Sequence, residues 1–200
     1  MRAVTVRWLA AGAVGLGLGW GVLLAEPPPD DPRKQAQAAI VKLSNNLEAL
    51  EARDVGARAT QIVEQYDSCD ISSVFRRHRG GGLGIGKATE ANHPDSVEGL
   101  IADFSRRKTT TEAELEQYRD DYVRVAKVMQ AMAELAPFRG APFTRGDPKR
   151  TKAWEEVSAD FKQKTAALRR AIEETDPKQV RTTALSLQQT CCACHVLRDS

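Results

Sequence analysis

Three cysteines and a histidine crowd into five positions, Cys191-Cys192-Ala193-Cys194-His195. Read from Cys191, the pattern is C-x-x-C-H, the spacing at which a haem is attached covalently to a chain. Each residue has a task in that chemistry. The thiols of Cys191 and Cys194 add to haem vinyl groups as thioethers, and the His195 imidazole binds the iron from one side. A helix makes the spacing work, because side chains three and four residues apart lie on one face. The same residue types have other uses. A redox C-x-x-C belongs in a βαβ setting, and no such pattern is visible. A structural zinc site takes four nitrogen or sulfur ligands, and the remaining Cys69, Cys192, His78 and His93 stand at no zinc spacing. A haem-free zinc or disulfide module is the reading that competes with haem c.

Covalent haem attachment requires an exported compartment, and residues 1–25 have the makeup of an export signal. Arg2 and Arg7 flank the start of an apolar run from Trp8 to Ala25, which gives way to Glu26-Pro27-Pro28-Pro29-Asp30-Asp31. A basic start, an apolar stretch and a small residue before the break describe a cleavable signal. The run also reaches the lower bound for a membrane-spanning helix, so an uncleaved anchor is the alternative. Both readings put the body of the chain in the periplasm. Residues 26–32 read as a linker and 33–200 as one helical domain. With Arg2 and Arg7 removed, 27 basic residues balance 27 acidic ones. That balance gives no basic surface for nucleic acid, and no set of acid, base and nucleophile points to an enzyme.

The elements that must carry the motif are helices. Asp31-Pro32, Asp147-Pro148 and Asp176-Pro177 pair a good N-cap with the residue favoured at the first helical position. Thr111 with Glu114 forms a capping box. Apolar stripes with steps of three and four follow each start. The first is Ala36, Ile40, Leu43, Leu47 and Leu50. The second runs from Leu115 through Tyr118, Tyr122, Val125, Met129 and Met132 to Ala136. The third is Trp154, Val157, Phe161, Thr165, Leu168 and Ile172. The fourth, Val180, Ala184 and Leu187, continues into Cys191 and Cys194. The pattern predicts an all-α fold, an antiparallel four-helix bundle with the haem on the inward face of its last helix. Cys192, about 100° around the helix from Cys191, faces elsewhere; it is a spectator or a disulfide partner for Cys69.

Residues 67–110 interrupt the stripes as a glycine-rich insertion. They hold Cys69, the basic run Arg76-Arg77-His78-Arg79, the glycine-rich stretch 80–86 and His93-Pro94. A short helix from about Pro94 to Arg107 would bury Val97, Leu100, Ile101 and Phe104. Gly81 to Lys87 matches G-x-x-x-x-G-K, but Ala88 stands where a phosphate loop needs Ser or Thr, and no strand precedes it. The stretch therefore reads as a flexible loop over the bundle, with His78 and His93 as loop histidines.

A C-x-x-C-H on the last of four amphipathic helices, in an exported chain, resembles the class II c-type cytochromes: cytochrome c′ and the low-spin c-556 type. The resemblance is best over 148–198, through Trp154, Phe161, the break at Asp176-Pro177 and Thr190 to His195. It implies thioether bonds at Cys191 and Cys194, His195 as the proximal iron ligand, and Arg198 as the basic residue after the motif. It implies one-electron transfer with redox partner proteins, and homodimers are common in the family. Six-coordinate relatives take a Met from the first helix. Here the first helix, roughly 33–53, has neither Met nor His, and its inward Ile40, Leu43 and Leu47 would form an apolar distal wall. That favours five-coordinate iron open to NO or CO, unless Met129 or Met132 binds instead.

Overall fold

The computed structural model describes residues 31–86, 95–106 and 110–199. The expected export segment at 1–25, His93, Lys87 and Ala88 lie outside these residues. Among the described residues there is no strand, and the elements are α1 (Pro32–Asn46), α2 (Ala52–Gln65), α3 (Ser68–Ser72), α4 (Val97–Arg106), α5 (Glu112–Gln117), α6 (Arg119–Leu135), α7 (Ala141–Thr144), α8 (Pro148–Glu173) and α9 (Pro177–Asp199). The chain is all-α, as its periodicity predicts. None of these helices is long and apolar enough to cross a membrane.

The caps form where the residue types demand them. Asp31 and Asp147 accept hydrogen bonds from the first backbone amides of α1 and α8, each with Pro at the helix start. Asp176 Oδ1 accepts from the amides of Lys178 and Gln179 and opens α9. The Thr111 hydroxyl accepts from the Glu114 amide and opens α5. Two helices are shorter than their stripes. The first ends at Asn46, so Leu47 and Leu50 lie in the turn to α2, though both still pack on the core. The second breaks at Tyr118, whose backbone leaves the helical region at φ −113° and ψ 19°. Helix α2 is new relative to the stripes; it buries only the narrow face of Val55, Ala59 and Ile62.

The described parts of the segment 67–110 belong to the core and are not a cover over it. Ile71, Val74, Ile85, Val97, Leu100, Ile101 and Phe104 are all buried, and the Phe104 ring meets Tyr122 of α6 edge-on at 5.1 Å. The helix expected here forms as α4 and lies against α9. The glycine stretch is packed as well. Gln37 of α1 donates to Ser73 Oγ and to the Gly81 carbonyl, both at 2.8 Å. Gly84 sits at φ 63°, and a Cβ there would overlap the His78 ring, so glycine is required by both backbone and space.

Helix α6 packs against α1, α2 and α8, while α9 packs against α8, α4 and α7. Three residues turn α8 back into α9. The amide of Asp176 bonds the Ala171 carbonyl at 3.0 Å and that of Thr175 bonds Ile172 at 3.1 Å. This is the Schellman ending, in which the residue after the cap is left-handed and usually Gly. Here it is Thr175 at φ 53°, a conformation that costs a β-branched residue roughly 1–2 kcal/mol. Thr175→Gly is therefore predicted to raise stability by about 1 kcal/mol, after glycine's own entropy is allowed for. Chemical denaturation checks this; an unchanged or lower midpoint would show that the turn carries no strain.

Candidate functional site

Helix α9 is unbroken from Pro177 to Asp199, so Cys191, Cys194 and His195 fall within about 100° of helical arc. The seam behind them is fully buried at Val180, Ala184 and Leu187. It then opens: Cys191 and Cys194 are half-buried, and Cys192 and His195 are exposed. The motif thus continues the buried seam, but at the rim of the helical core and not inside it as the stripe suggests. Cover runs out on the side of α4, which begins there, while α8 runs on past the motif. Helix α4 starts at Val97, with Glu98 within electrostatic reach of Cys191. Helix α8 starts at Pro148, and by its first turn Arg150 Nη2 already donates to the Leu197 carbonyl at 2.8 Å.

The register of α9 against α8 is locked next to the motif. Lys164 Nζ donates to Asp160 Oδ2 at 2.6 Å and to Thr190 Oγ1 at 2.9 Å. The Thr190 hydroxyl also donates to Asp160 Oδ2 at 2.6 Å. Thr190 is buried and directly precedes Cys191. Desolvation alone would raise the Asp160 carboxyl, but hydrogen bonds from Lys164 and Thr190, with the Lys164 charge, bring it below its ordinary value.

Both thiols are held neutral. Burial, with smaller contributions from Cys194, Cys192 and Glu98, pushes Cys191 from 9.0 to about 11. Burial also raises Cys194, where the Arg139 guanidinium pulls down and Asp160 pushes up. Arg139 enters through the 3₁₀ turn Ala136–Arg139 that follows α6. That turn is fixed to α8 by Trp154, whose indole N–H donates to the Ala136 carbonyl at 2.9 Å. Gly140 lets the indole in, since a Cβ there would come within 2.5 Å of it. Burial lowers the Arg139 pKa, nearby Arg198 lowers it further, and Cys69 and Cys194 oppose this. The sequence offers no local sign that Arg139 acts on Cys194; only the fold of the turn brings its charge within electrostatic reach.

The other sequence-predicted residues divide between core and periphery. Met129 and Met132 are buried on α6, whose packing partners are α1, α2 and α8. Ile40 and Leu43 are buried, and Leu47 partly so, in the same cluster; α1 packs on α6, α3 and α2. The expected distal wall of α1 is therefore not what flanks α9, a place taken by α4 and α7. His78 hydrogen-bonds Asp95 through Nδ1, and its amide donates to the same carboxylate at 3.2 Å. All four cysteines are free, with Cys69 and Cys192 both exposed. Among the described residues no group of three or more His, Cys, Asp and Glu side chains converges as a metal cage.

No family model, curated protein or solved structure matches the chain.

The raised Cys191 pKa makes the haem-free chain alkali-sensitive. A neutral thiol is favoured in the folded state, so its contribution is fully present below pH 9.0 and is lost as pH climbs to about 11. The loss amounts to roughly 2 kcal/mol. Denaturation of the reduced chain across this window measures it, and Cys191→Ser should flatten the decline. Equal declines in both proteins would remove Cys191 as its source.

Proposed function

We propose that this chain is an exported c-type haem protein that carries single electrons, with haem c bonded to Cys191 and Cys194 and its iron bound by His195. The observation that carries this reading is the unbroken α9 helix, which presents two neutral thiols and one exposed imidazole on a single face. A porphyrin brings four nitrogens of its own and needs one from the chain, and His195 is available to give it. When bound, the haem would supply reversible one-electron chemistry. The residues present fit such a group. Cys191 packs against the apolar core, and the Arg139 charge acts on Cys194.

The work of the chain's own residues is positional. Thr190, Asp160 and Lys164 hold α9 in register, so that Cys191 and Cys194 stay at a fixed height on α8. His195, exposed at the rim, leaves a short path to a docking redox protein. The four-helix architecture of the class II cytochromes is part of this proposal, with α1, α6, α8 and α9 as its long helices and α4 occupying one flank of α9. Periplasmic location follows from the composition of residues 1–25. A second reading, five-coordinate iron that binds NO or CO, is favoured by the burial of Met129 and Met132 on a helix whose partners are α1, α2 and α8.

Protein made in cells that export and attach c-type haem tests both readings. We expect a covalent haem spectrum that His195→Ala alters through loss of the proximal ligand. The ferrous form should bind CO rapidly if the opposite face is open, whereas a sulfur-to-iron charge-transfer band would assign Met132 or Met129 there. A protein with no covalent chromophore in such cells would refute haem attachment and favour the zinc or disulfide module.

A further inference from the structure

His78 and Asp95, 17 residues apart, are joined twice. The His78 amide donates to Asp95 Oδ2 at 3.2 Å, and Nδ1 of its ring bonds Oδ1 of the same carboxylate. The imidazole is seated from behind by Gly84, where a Cβ would overlap the ring. The turn that carries it is fastened to α1 through Gln37, which donates to the Gly81 carbonyl at 2.8 Å. Asp95 directly precedes Ser96, whose hydroxyl accepts from the Gly99 amide at 3.0 Å and caps α4. The pair therefore ties the start of α4 to a turn that is itself fixed to α1.

Helix α4 flanks α9 on the side of the motif that carries His195. Ser105 donates to Gln188 Oε1 at 2.7 Å. Gln188 and His195 are seven residues apart, within about 20° of two full turns, so they share a face of α9. Cys191 lies about 60° around the helix from Gln188, whereas Cys194 lies about 40° from Thr190, the residue bonded to α8. Cys191 thus belongs to the α4 side and Cys194 to the α8 side. Traced back from Ser105, α4 begins at Val97 next to the motif. Val97 and Leu100 are buried and hold α4 to the core, but apolar burial is non-directional and does not by itself fix where a helix end stands. We propose that His78 and Asp95 are positioning residues of the haem site: their bond holds the first turn of α4 against the Cys191 side of α9 and sets the room beside His195 in which the haem lies. The tie stands on the geometry of the chain alone; that the room receives a haem rests on the reading above.

The test begins with the haem-free, reduced full chain, alkylated at one pH under native conditions, with each cysteine of the Thr182–Arg198 peptide read separately. In His78→Ala, Cys191 is expected to react at least about fivefold faster, the change in local opening that loss of one ordinary hydrogen bond brings. Asp95→Ala, which loses both bonds, should be faster still. Cys194, on the α8 side, and exposed Cys192 should keep their rates. The double variant should be no faster than Asp95→Ala, because the His78 ring then has no partner left to lose. His78→Asn, whose side-chain N–H stands close to the place of Nδ1, should keep most of the protection. If His78→Ala fails to fold, Asp95→Ala and His78→Asn carry the decision. Unchanged rates at Cys191 would overturn the proposal. A uniform rise at all three cysteines would make the pair a general stabiliser and overturn it too. In the haem-loaded protein, both alanine variants should keep covalent haem by intact mass and change the Soret circular dichroism. An unchanged Soret signal would overturn the claim that α4 walls the haem. A wild-type protein without covalent haem would refute the haem reading, while the alkylation result stands by itself.

Discussion

The contact of α9 with α8 is the constraint from which the rest follows. Val180, Ala184 and Leu187 on one helix and Phe161, Thr165, Leu168 and Ile172 on the other are buried within the helical core. Burial of such side chains is worth about 1.5–3 kcal/mol for each large apolar group. Area alone does not fix register, because a helix can slide by a turn and still bury apolar surface. Register is fixed by the Asp160–Lys164–Thr190 cluster and by Arg150 reaching the Leu197 carbonyl. These polar bonds stand on either side of the motif, so they set the height at which Cys191 and Cys194 emerge.

The same contact explains why the motif lies at a rim. A seam of apolar residues continues along a helix as far as neighbours exist to cover it. Around Cys191 α4 is just beginning while α8 still runs alongside, so the thiols are half-buried and His195 reaches solvent. Half-burial suits the chemistry proposed. It keeps the thiols neutral, as the raised Cys191 and Cys194 values express, while leaving room for a flat group to approach.

Much of this was legible in the sequence. Each Asp-Pro pair and the Thr111 capping box began a helix, because capping is a local matter of one side chain and the next two or three amides. The fourth stripe put Cys191 and Cys194 in line with Leu187, as the fold has them. What escaped depended on tertiary context. Helix α2 hides behind a three-residue face of Val55, Ala59 and Ile62, while Leu47 and Leu50 carry the first stripe's spacing through the turn. The break at Tyr118 leaves the apolar spacing intact, so periodicity could not show it. The role of 95–106 as a flank of α9 is a choice of neighbour, which a periodic pattern does not contain. Arg139 is the clearest case, since only the turn after α6 and the Trp154 indole bring its charge within electrostatic reach of Cys194.

The central claim is that one short stretch of α9 holds a haem through two particular thiols and leaves the third free. Peptide mapping addresses it directly. Trypsin acts after Arg181 and Arg198, with no basic cleavage site between them, so the motif is released on the peptide from Thr182 to Arg198. Protein exported from haem-attaching cells, alkylated under denaturing conditions and digested, should yield this peptide with one haem and a single alkyl group on Cys192. A peptide without haem and with all three cysteines alkylated would contradict the account.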